Sequence, residues 1–152
     1  MSKWRSRVLS TRLVREPELA ELAEWEASNT LGARWGLDQI TEEYLLQSSQ
    51  ILVAEDAGSL LGYAVVRTFP DGFELFNILV PKHARRRGVG TALMQAIHEH
   101  TEGQPVWLEV RAGNESAQRF YEGLGYEQIG VRACYYRDGE DAVLMSREPA
   151  MD

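Results

Sequence analysis

The chain has 152 residues, of which 44% are hydrophobic and 26% are charged. This balance excludes an extended disordered chain, and the length suits one domain with a sizeable core. Sixteen lysine and arginine residues stand against 23 aspartate and glutamate residues, so the formal net charge is -7. Because general nucleic-acid binders are more often basic, we expect no nucleic-acid partner.

Cysteine content and hydropathy indicate the compartment. The single cysteine, Cys134, excludes an internal disulfide and favours a reducing cytoplasm. The basic start over residues 1–7 lacks the apolar stretch of a signal peptide, and no apolar run is long enough to span a bilayer. We therefore expect a soluble cytoplasmic enzyme or binding domain with no membrane partner.

The N-terminal part predicts one strand followed by two helices. The strand covers residues 8–14, and Pro17 then opens a helix over 18–28 with acidic residues in its first turns. The polar, glycine-containing run 29–32 ends this helix. A second helix is predicted over 37–47.

Three strands with high β propensity follow, at 51–55, 61–69 and 73–80. Turn signals separate them at Ala57-Gly58 and at Pro70-Asp71-Gly72. Short turns between successive strands predict an antiparallel meander.

The C-terminal part alternates helices with strands. The predicted elements are a helix over 91–100, a strand over 106–110, a helix over 116–124 and a hairpin of strands 127–136 and 142–145 across Asp138-Gly139. The segment 73–110 reads as a right-handed βαβ crossover. We therefore predict one α/β (α+β) domain over residues 1–152, with about four helices and a mixed, mostly antiparallel sheet of about seven strands.

The strongest functional signal is a glycine-containing turn directly before the helix at 91–100. Residues 85–91 read Arg-Arg-Arg-Gly-Val-Gly-Thr. The unpaired N–H groups and the positive dipole end of a helix attract anions, and glycine at 88 and 90 permits close approach of the backbone. In an acidic protein this turn predicts a small anionic ligand; the alternative is a solvated turn.

Two motifs carry a family resemblance. The pattern Arg85-x-x-Gly88-x-Gly90 after a strand is similar to the pyrophosphate loop of the GNAT superfamily of N-acetyltransferases. The run Asn114-x-x-Ala117-x-x-x-Tyr121-x-x-x-Gly125-Tyr126 is similar to the second signature of that superfamily. The resemblance implies the GNAT fold and acetyl-CoA as co-substrate.

The C-terminal half resembles one branch more closely. The runs at 75–78, 106–112 and 135–136 are similar to the bacterial ribosomal-protein-alanine N-acetyltransferases, which acetylate the N-terminal α-amine of a small ribosomal protein. The family's Phe-Pro-Trp-Ser piece keeps only Trp35, and its Arg-Arg-Asn-Tyr-Tyr run is Arg-Ala-Cys-Tyr-Tyr at 132–136. Both departures lie where the acceptor would bind. The implied acceptor is a protein N-terminus, such as that of a ribosomal protein; a lysine, a polyamine, a free amino acid or an aminoglycoside stays open.

The resemblance also implies which residues bind the coenzyme. Backbone amides of the strand at 78–80 would hold the pantetheine arm and the thioester carbonyl, and the turn would hold the pyrophosphate. Asn114 would bind the pantetheine arm, although an asparagine before a helix is also a common cap. The implied coenzyme-binding residues are Ile78, Leu79, Val80, Arg85, Arg86, Arg87, Gly88, Val89, Gly90, Thr91 and Asn114.

Catalytic roles follow from the same resemblance. Glu109, a lone acid in an apolar run, would remove a proton from the amine, and Tyr121 would protonate the departing thiolate. From the residues alone, the favoured interpretations are a surface residue on the polar face of an edge strand for Glu109 and a core aromatic for Tyr121. Trp35, Tyr135 and Tyr136 would line the acceptor pocket. Because neighbours on a strand alternate between faces, only one of the two tyrosines is expected to face it.

Two other functional classes remain open from the sequence. One is a coenzyme-binding module without transfer activity, which the presence of both Glu109 and Tyr121 argues against. The other is an RNA-contacting patch at residues 82–87, which the net charge of -7 argues against. No spacing of histidine or cysteine predicts a metal site.

Overall fold

The computed structural model describes residues 9–29 and 35–149. Its helices and strands are β1 (Ser10–Leu13), α1 (Leu19–Ser28), α2 (Leu37–Leu45), β2 (Ser49–Asp56), β3 (Ser59–Phe69), β4 (Gly72–Leu79), α3 (Val89–His100), β5 (Val106–Arg111), α4 (Glu115–Gly123), β6 (Glu127–Arg132) and β7 (Ala142–Arg147). This order confirms the predicted one. Val8 and most of the predicted break at 29–32 lie outside the described residues. None of the described helices has the length and apolar content to cross a bilayer.

All seven strands form one sheet in the order β1-β2-β3-β4-β5-β7-β6. Every neighbouring pair is antiparallel except β4 and β5, which are parallel and connected through α3. The predicted mixed, mostly antiparallel sheet is therefore confirmed. Since β5 lies between β4 and β7, Glu109 is not on an edge strand, and that interpretation of the residue is wrong.

The single parallel pair in the sheet is also short. Strands β4 and β5 pair only where residues 73–75 meet residues 106–108. On its other side β4 pairs with β3, where Val65 pairs with Asn77 and Val66 pairs with Leu75. Phe76 is therefore an extra residue in β4. A bulge of this kind bends its strand. Strands β4 and β5 make no further pairs, and a gap opens between them.

Two hydrophobic clusters cover the two faces of the sheet. The cluster on one face packs α3 and α4 against the sheet, and it includes Leu93 of α3 and Leu108 of β5. The cluster on the other face packs α1 and α2 against the sheet, and it includes Leu22 of α1 and Tyr63 of β3. The gap between β4 and β5 therefore has α3 and α4 on one side and α1 and α2 on the other.

The last hairpin differs from its prediction. Strand β6 ends at Arg132 rather than at residue 136, and residues 133–141 form a loop. Cys134 adopts a φ of 52° and its N–H donates to Asp141 Oδ1 over 2.9 Å. A left-handed residue cannot continue an extended strand, so the pairing with β7 stops before it. The predicted turn at Asp138-Gly139 is present inside this loop, with Gly139 at a φ of 87°.

Candidate active site

The glycine-containing turn forms the start of α3. Gly88 is the residue preceding the first helical turn and has a φ of 75°, and the space where a Cβ would stand has no atom within 4 Å. No described side chain caps this turn, and no acidic residue lies in it. The first amides of α3 are therefore free to donate to an anion placed before the helix.

The three arginines of this turn take different positions. Arg87 Nη2 pairs with Asp56 Oδ2 at 2.7 Å, which ties the turn to the end of β2. Arg85 Nε donates to the carbonyl of Val80 over 3.3 Å. Arg86 is exposed and has a φ of 65°. Because an ion pair with Asp56 already offsets its charge, Arg87 orders the turn more than it adds free positive potential.

A cavity of about 690 Å³ occupies the gap between β4 and β5. Ile78, Leu108, Asn114 and Tyr121 line it from the α3 and α4 face, and Trp35 is among the residues that line it from the α1 and α2 face. A volume of this size suits a small-molecule site. The two faces of the sheet thus meet in one cavity.

Tyr121 lies in α4 with its side chain buried against the rings of Phe120 and Tyr126, at centroid distances of 5.2 and 5.6 Å. Burial raises the pKa of the Tyr121 hydroxyl above its ordinary value. The group therefore stays protonated at neutral pH and lines the cavity as a donor. Tyr121 is both a core residue and a cavity residue.

Glu109 lies in β5 between Leu108 and Val110, which belong to the α3 and α4 cluster. Because side chains alternate along a strand, Glu109 points to the opposite face. Its side chain is 16% exposed, and its Oε1 is 3.5 Å from Arg132 Nη1. A hydrogen bond with Glu109 is the largest cause that raises the pKa of Tyr135, and burial is the second.

Asn114 precedes the first residue of α4 and caps it, because its Oδ1 accepts a hydrogen bond from the N–H of Ala117 over 3.1 Å. The capping interpretation is therefore present in the structure. Within the described residues no hydrogen bond occupies Nδ2 of Asn114, and the residue lines the cavity. One side chain can thus start the helix and still present a donor.

Both tyrosines of the last loop line the cavity, together with Trp35. Their rings pack edge to face at 5.1 Å, with Arg132 over Tyr135 at 5.2 Å and Arg111 over Tyr136 at 4.1 Å. The prediction that only one of them faces the pocket is wrong. It assumed a strand through residue 136, whereas the loop lacks the alternation of a strand.

A buried polar cluster escaped the sequence analysis. Glu26 of α1 is 1% exposed and accepts hydrogen bonds from the Tyr63 hydroxyl, from Asn77 Nδ2 over 2.8 Å and from the N–H of Trp35 over 3.3 Å. The available signal was the helical spacing of Leu19, Leu22 and Glu26, which places a carboxylate on the apolar stripe of α1. A charged residue there requires buried partners.

The comparisons with known proteins agree with this geometry. A profile of the Acetyltransferase (GNAT) family matches residues 17–126, well over half of the chain. The N-alpha-acetyltransferase RimI of Mycobacterium tuberculosis (strain ATCC 25618 / H37Rv) is 33% identical over 132 residues, which cover 83% of this chain and 84% of that protein.

Two further matches concern Escherichia coli. The ribosomal protein bS18-alanine N-acetyltransferase of strain K12 is 38% identical over 95 residues, which cover 59% of this chain and 64% of that protein. The crystal structure of the ribosomal-protein-S18-alanine N-acetyltransferase from Escherichia coli superposes with a TM-score of 0.82 at 25% identity, covering 95% of this chain and 96% of that one. The match to the K12 sequence thus spans a little under two thirds of its length.

The fold, the helix-initiating turn and the family profile point to the same conclusion. Enzymes of the matched family transfer an acetyl group from acetyl-CoA to an amine. This chain belongs to the GNAT family of acetyltransferases and is an acetyl-CoA-dependent N-acetyltransferase of the RimI type.

Proposed function

We propose that this enzyme acetylates the N-terminal α-amine of a protein, such as a ribosomal protein, by direct attack of the amine and without an acyl-enzyme. The observation that carries the proposal is the cavity in the β4–β5 gap, which Tyr121 lines from one face of the sheet and Glu109 lines from the other. Relatives named for N-α-acetylation at 33% and 38% identity support this acceptor. We also propose a cytoplasmic location, because the single cysteine cannot form an internal disulfide.

The residues present fit the coenzyme. The first amides of α3, at Val89, Gly90 and Thr91, would hold the pyrophosphate, since the open space at Gly88 leaves room for it. Beyond residue 75, β4 has no strand partner on the side of β5, so the backbone at 78–80 is open on that side to the pantetheine arm, except for the Val80 carbonyl, which accepts from Arg85 Nε. The bound coenzyme supplies an activated thioester to the cavity.

Glu109 would take the proton of the incoming amine, directly or through one water. A peptide α-amine has a pKa of about 8 and a lysine side chain one of about 10.4, so neutralising the α-amine at pH 7 costs about 3 kcal/mol less. A single carboxylate such as Glu109 is thus a sufficient base for an α-amine more readily than for a lysine side chain. Tyr121, protonated and buried, would give its proton to the departing sulfur.

The test is an acceptor panel. Peptides that begin with Ala, Ser or Met are compared with spermidine, free amino acids, an aminoglycoside and an N-terminally blocked peptide that contains one lysine, with transfer followed by mass spectrometry. On the order of 100-fold less of the lysine is neutral at pH 7, so we expect the free N-termini to be acetylated fastest. Activity confined to the small amines or the lysine would overturn the proposal and favour the alternative acceptors. Coenzyme binding without any turnover would indicate a binding module.

A further inference from the structure

We propose that Asn77 positions the acceptor amine, and that the buried carboxylate of Glu26 acts through Asn77 by fixing the orientation of its amide. The inference rests on the proposed function, because it assigns a role on the acceptor side of the same cavity. Glu26 belongs to none of the motifs described above, and Asn77, which lies in the run at 75–78, has no assigned role there.

The orientation of the Asn77 amide follows from its partners. Its Nδ2 lies 2.8 Å from Glu26 Oε2 and 2.9 Å from the Tyr63 hydroxyl oxygen. The Tyr63 hydroxyl and Glu26 Oε2 are also hydrogen-bonded to each other, so both lie on one side of Nδ2 and share one of its two hydrogens. A flipped amide would place its oxygen against the carboxylate, which repels it. Glu26 therefore selects one of the two amide orientations.

Tyr63 reinforces this choice. Its hydroxyl donates to Glu26 and accepts from Asn77, so the three side chains form a closed set of hydrogen bonds. Burial raises the pKa of Tyr63, and the charge of Glu26 raises it further, so the hydroxyl keeps its proton and its role as donor. Every described partner of Glu26 is a hydrogen-bond donor.

The amide oxygen of Asn77 is then directed away from the cluster. No hydrogen bond within the described residues reaches Oδ1, whereas Asn77 is only partly buried and lines the cavity. The bond to Glu26 of α1 places the side chain on the α1 and α2 face, the face of Glu109 and Trp35. Asn77 Oδ1 is thus an uncharged hydrogen-bond acceptor with a fixed orientation, on the side of the cavity where the amine would bind.

Such an acceptor has a specific use in amine acetylation. After one proton leaves, the amine keeps two hydrogens and a lone pair, and the lone pair must point at the thioester carbon. A hydrogen bond from one N–H to Asn77 Oδ1 sets that direction. A carboxylate in the same place would stabilise the ammonium form and oppose attack. The neutral amide orients the amine while Asn77 and Tyr63 keep the Glu26 charge bound within the cluster.

Glu26 also holds a second wall of the cavity. Its Oε1 accepts from the backbone N–H of Trp35, and Trp35 lines the cavity. Burying a carboxylate costs free energy even when it is paired. Its hydrogen bonds to Tyr63 of β3, to Asn77 of β4 and to Trp35, two residues before α2, offset that cost and fix two residues that line the cavity.

A double-mutant cycle tests the inference. Glu26→Gln, Asn77→Ala and the double variant are compared for kcat/KM toward the acceptor, for the dissociation constant of acetyl-CoA and for Tm. We expect each single change to lower kcat/KM about 10- to 100-fold, with acetyl-CoA binding within about twofold. The double variant should be no worse than Asn77→Ala, because glutamine at position 26 keeps an oxygen that can accept from the Trp35 N–H, and the remaining effect of Glu26 acts through Asn77. Multiplicative losses, or equal losses of acetyl-CoA affinity, would overturn it.

Controls separate positioning from folding. Glu18→Gln removes a carboxylate that pairs with Arg12 remote from the cavity, so it should lower Tm and leave kcat/KM unchanged. If the Asn77 variants do not fold, the side-chain amide NMR signals of Asn77 in the wild-type protein replace them. Saturating acceptor should shift these signals, and unchanged signals would refute the role.

The proposed function is judged separately, by wild-type turnover of peptides. If the wild type accepts only small amines, the proposed function fails, and the cycle is measured with the best of those amines. If peptides are turned over but the Asn77 and Glu26 variants keep wild-type kcat/KM, the inference alone fails.

Discussion

In the proposed mechanism, Tyr121 and Glu109 act in the two proton transfers from opposite faces of the sheet. Tyr121→Phe removes one buried hydroxyl and keeps the ring that packs on Phe120 and Tyr126. We expect kcat to fall about 100-fold or more, because the departing sulfur loses its proton donor, with acetyl-CoA affinity nearly intact. Steady-state kinetics and calorimetric titration with the coenzyme measure the two effects.

Tyr126→Phe is a matched control for this change. Tyr126 is equally buried, but its hydroxyl bonds to His98 Nε2 at 2.8 Å and it does not line the cavity. The control should lose about 1 kcal/mol of stability and keep its kcat. A similar loss of kcat in both variants would show that the Tyr121 hydroxyl acts through packing and not as an acid.

The proposed role of Glu109 as a base predicts that the effect of its substitution on kcat/KM depends on pH. In Glu109→Gln the protein can no longer take the amine proton, so turnover relies on amine that is already neutral. Below the amine pKa of about 8 that fraction falls tenfold for each pH unit, and the loss of kcat/KM should therefore grow as pH falls. Rate profiles from pH 6 to 9 check this, with exposed Glu127→Gln as control. Parallel profiles for the variant and the wild type would point to another base.

Sequence reasoning reaches some of these residues and misses others for a physical reason. Glu109, Tyr121 and Asn114 fall inside local motifs, where neighbouring residues carry the signal. Glu26 and Asn77 are 51 positions apart and acquire their relation only when α1 packs on β4. No local pattern encodes that contact, although a glutamate on the apolar stripe of α1 indicates that some buried partner exists.

At the scale of elements, the proposed phosphate-binding role of the start of α3 can be tested by comparing the glycines before and after this helix. Gly88 precedes the helix with a φ of 75°, and Gly103 follows it with a φ of 79°; an added Cβ would meet no atom within 4 Å at either. Aspartate at each position incurs backbone strain of about 1–2 kcal/mol. Only Gly88→Asp adds charge and volume where the pyrophosphate would lie, so only it should abolish coenzyme binding. Titration calorimetry of both variants decides this, and retained affinity in Gly88→Asp would place the phosphate elsewhere.

The element boundaries show where local signals end. The glycine turns and the helix at α3 follow their predictions closely, because turn residues and apolar spacing act over a few positions. Strand β6 stops four residues early because Cys134 takes a left-handed conformation and bonds to Asp141 across the loop. The alternating pattern of residues 127–136 carries no trace of that contact. The two tyrosines consequently reach the cavity from a loop.

At the scale of the whole molecule, His98 links stability to pH. Burial and, to a smaller extent, the charge of Arg147 lower the pKa of His98 to about 4. An unfolded histidine has a pKa of about 6.5, so between these values the unfolded chain binds a proton that the folded protein does not. Stability should therefore fall as pH drops from about 6.5 to about 4, and this residue should contribute no pH dependence above that range.

The expected loss is roughly 1–2 kcal/mol, less than the full pKa difference implies, because solvent reaches the half-buried ring. Denaturant unfolding at pH 7.5 and pH 5 measures it in the wild type and in His98→Gln, whose amide can still bond to Tyr126. His100→Gln changes an exposed histidine on the same helix and should behave as the wild type. Equal pH sensitivity in all three proteins would exclude His98 as the source.

The short pairing of β4 with β5 has a mechanical consequence. Each side of this junction is a well-paired antiparallel unit, β1 to β4 on one side and β5 to β7 on the other, and three residue pairs connect the two across the sheet. A coenzyme laid along the junction would contact both units and complete the missing pairs of β4. Hydrogen exchange should therefore slow most in residues 76–80 and 109–111 when acetyl-CoA binds, as though the ligand were an eighth strand inserted at the seam of the molecule.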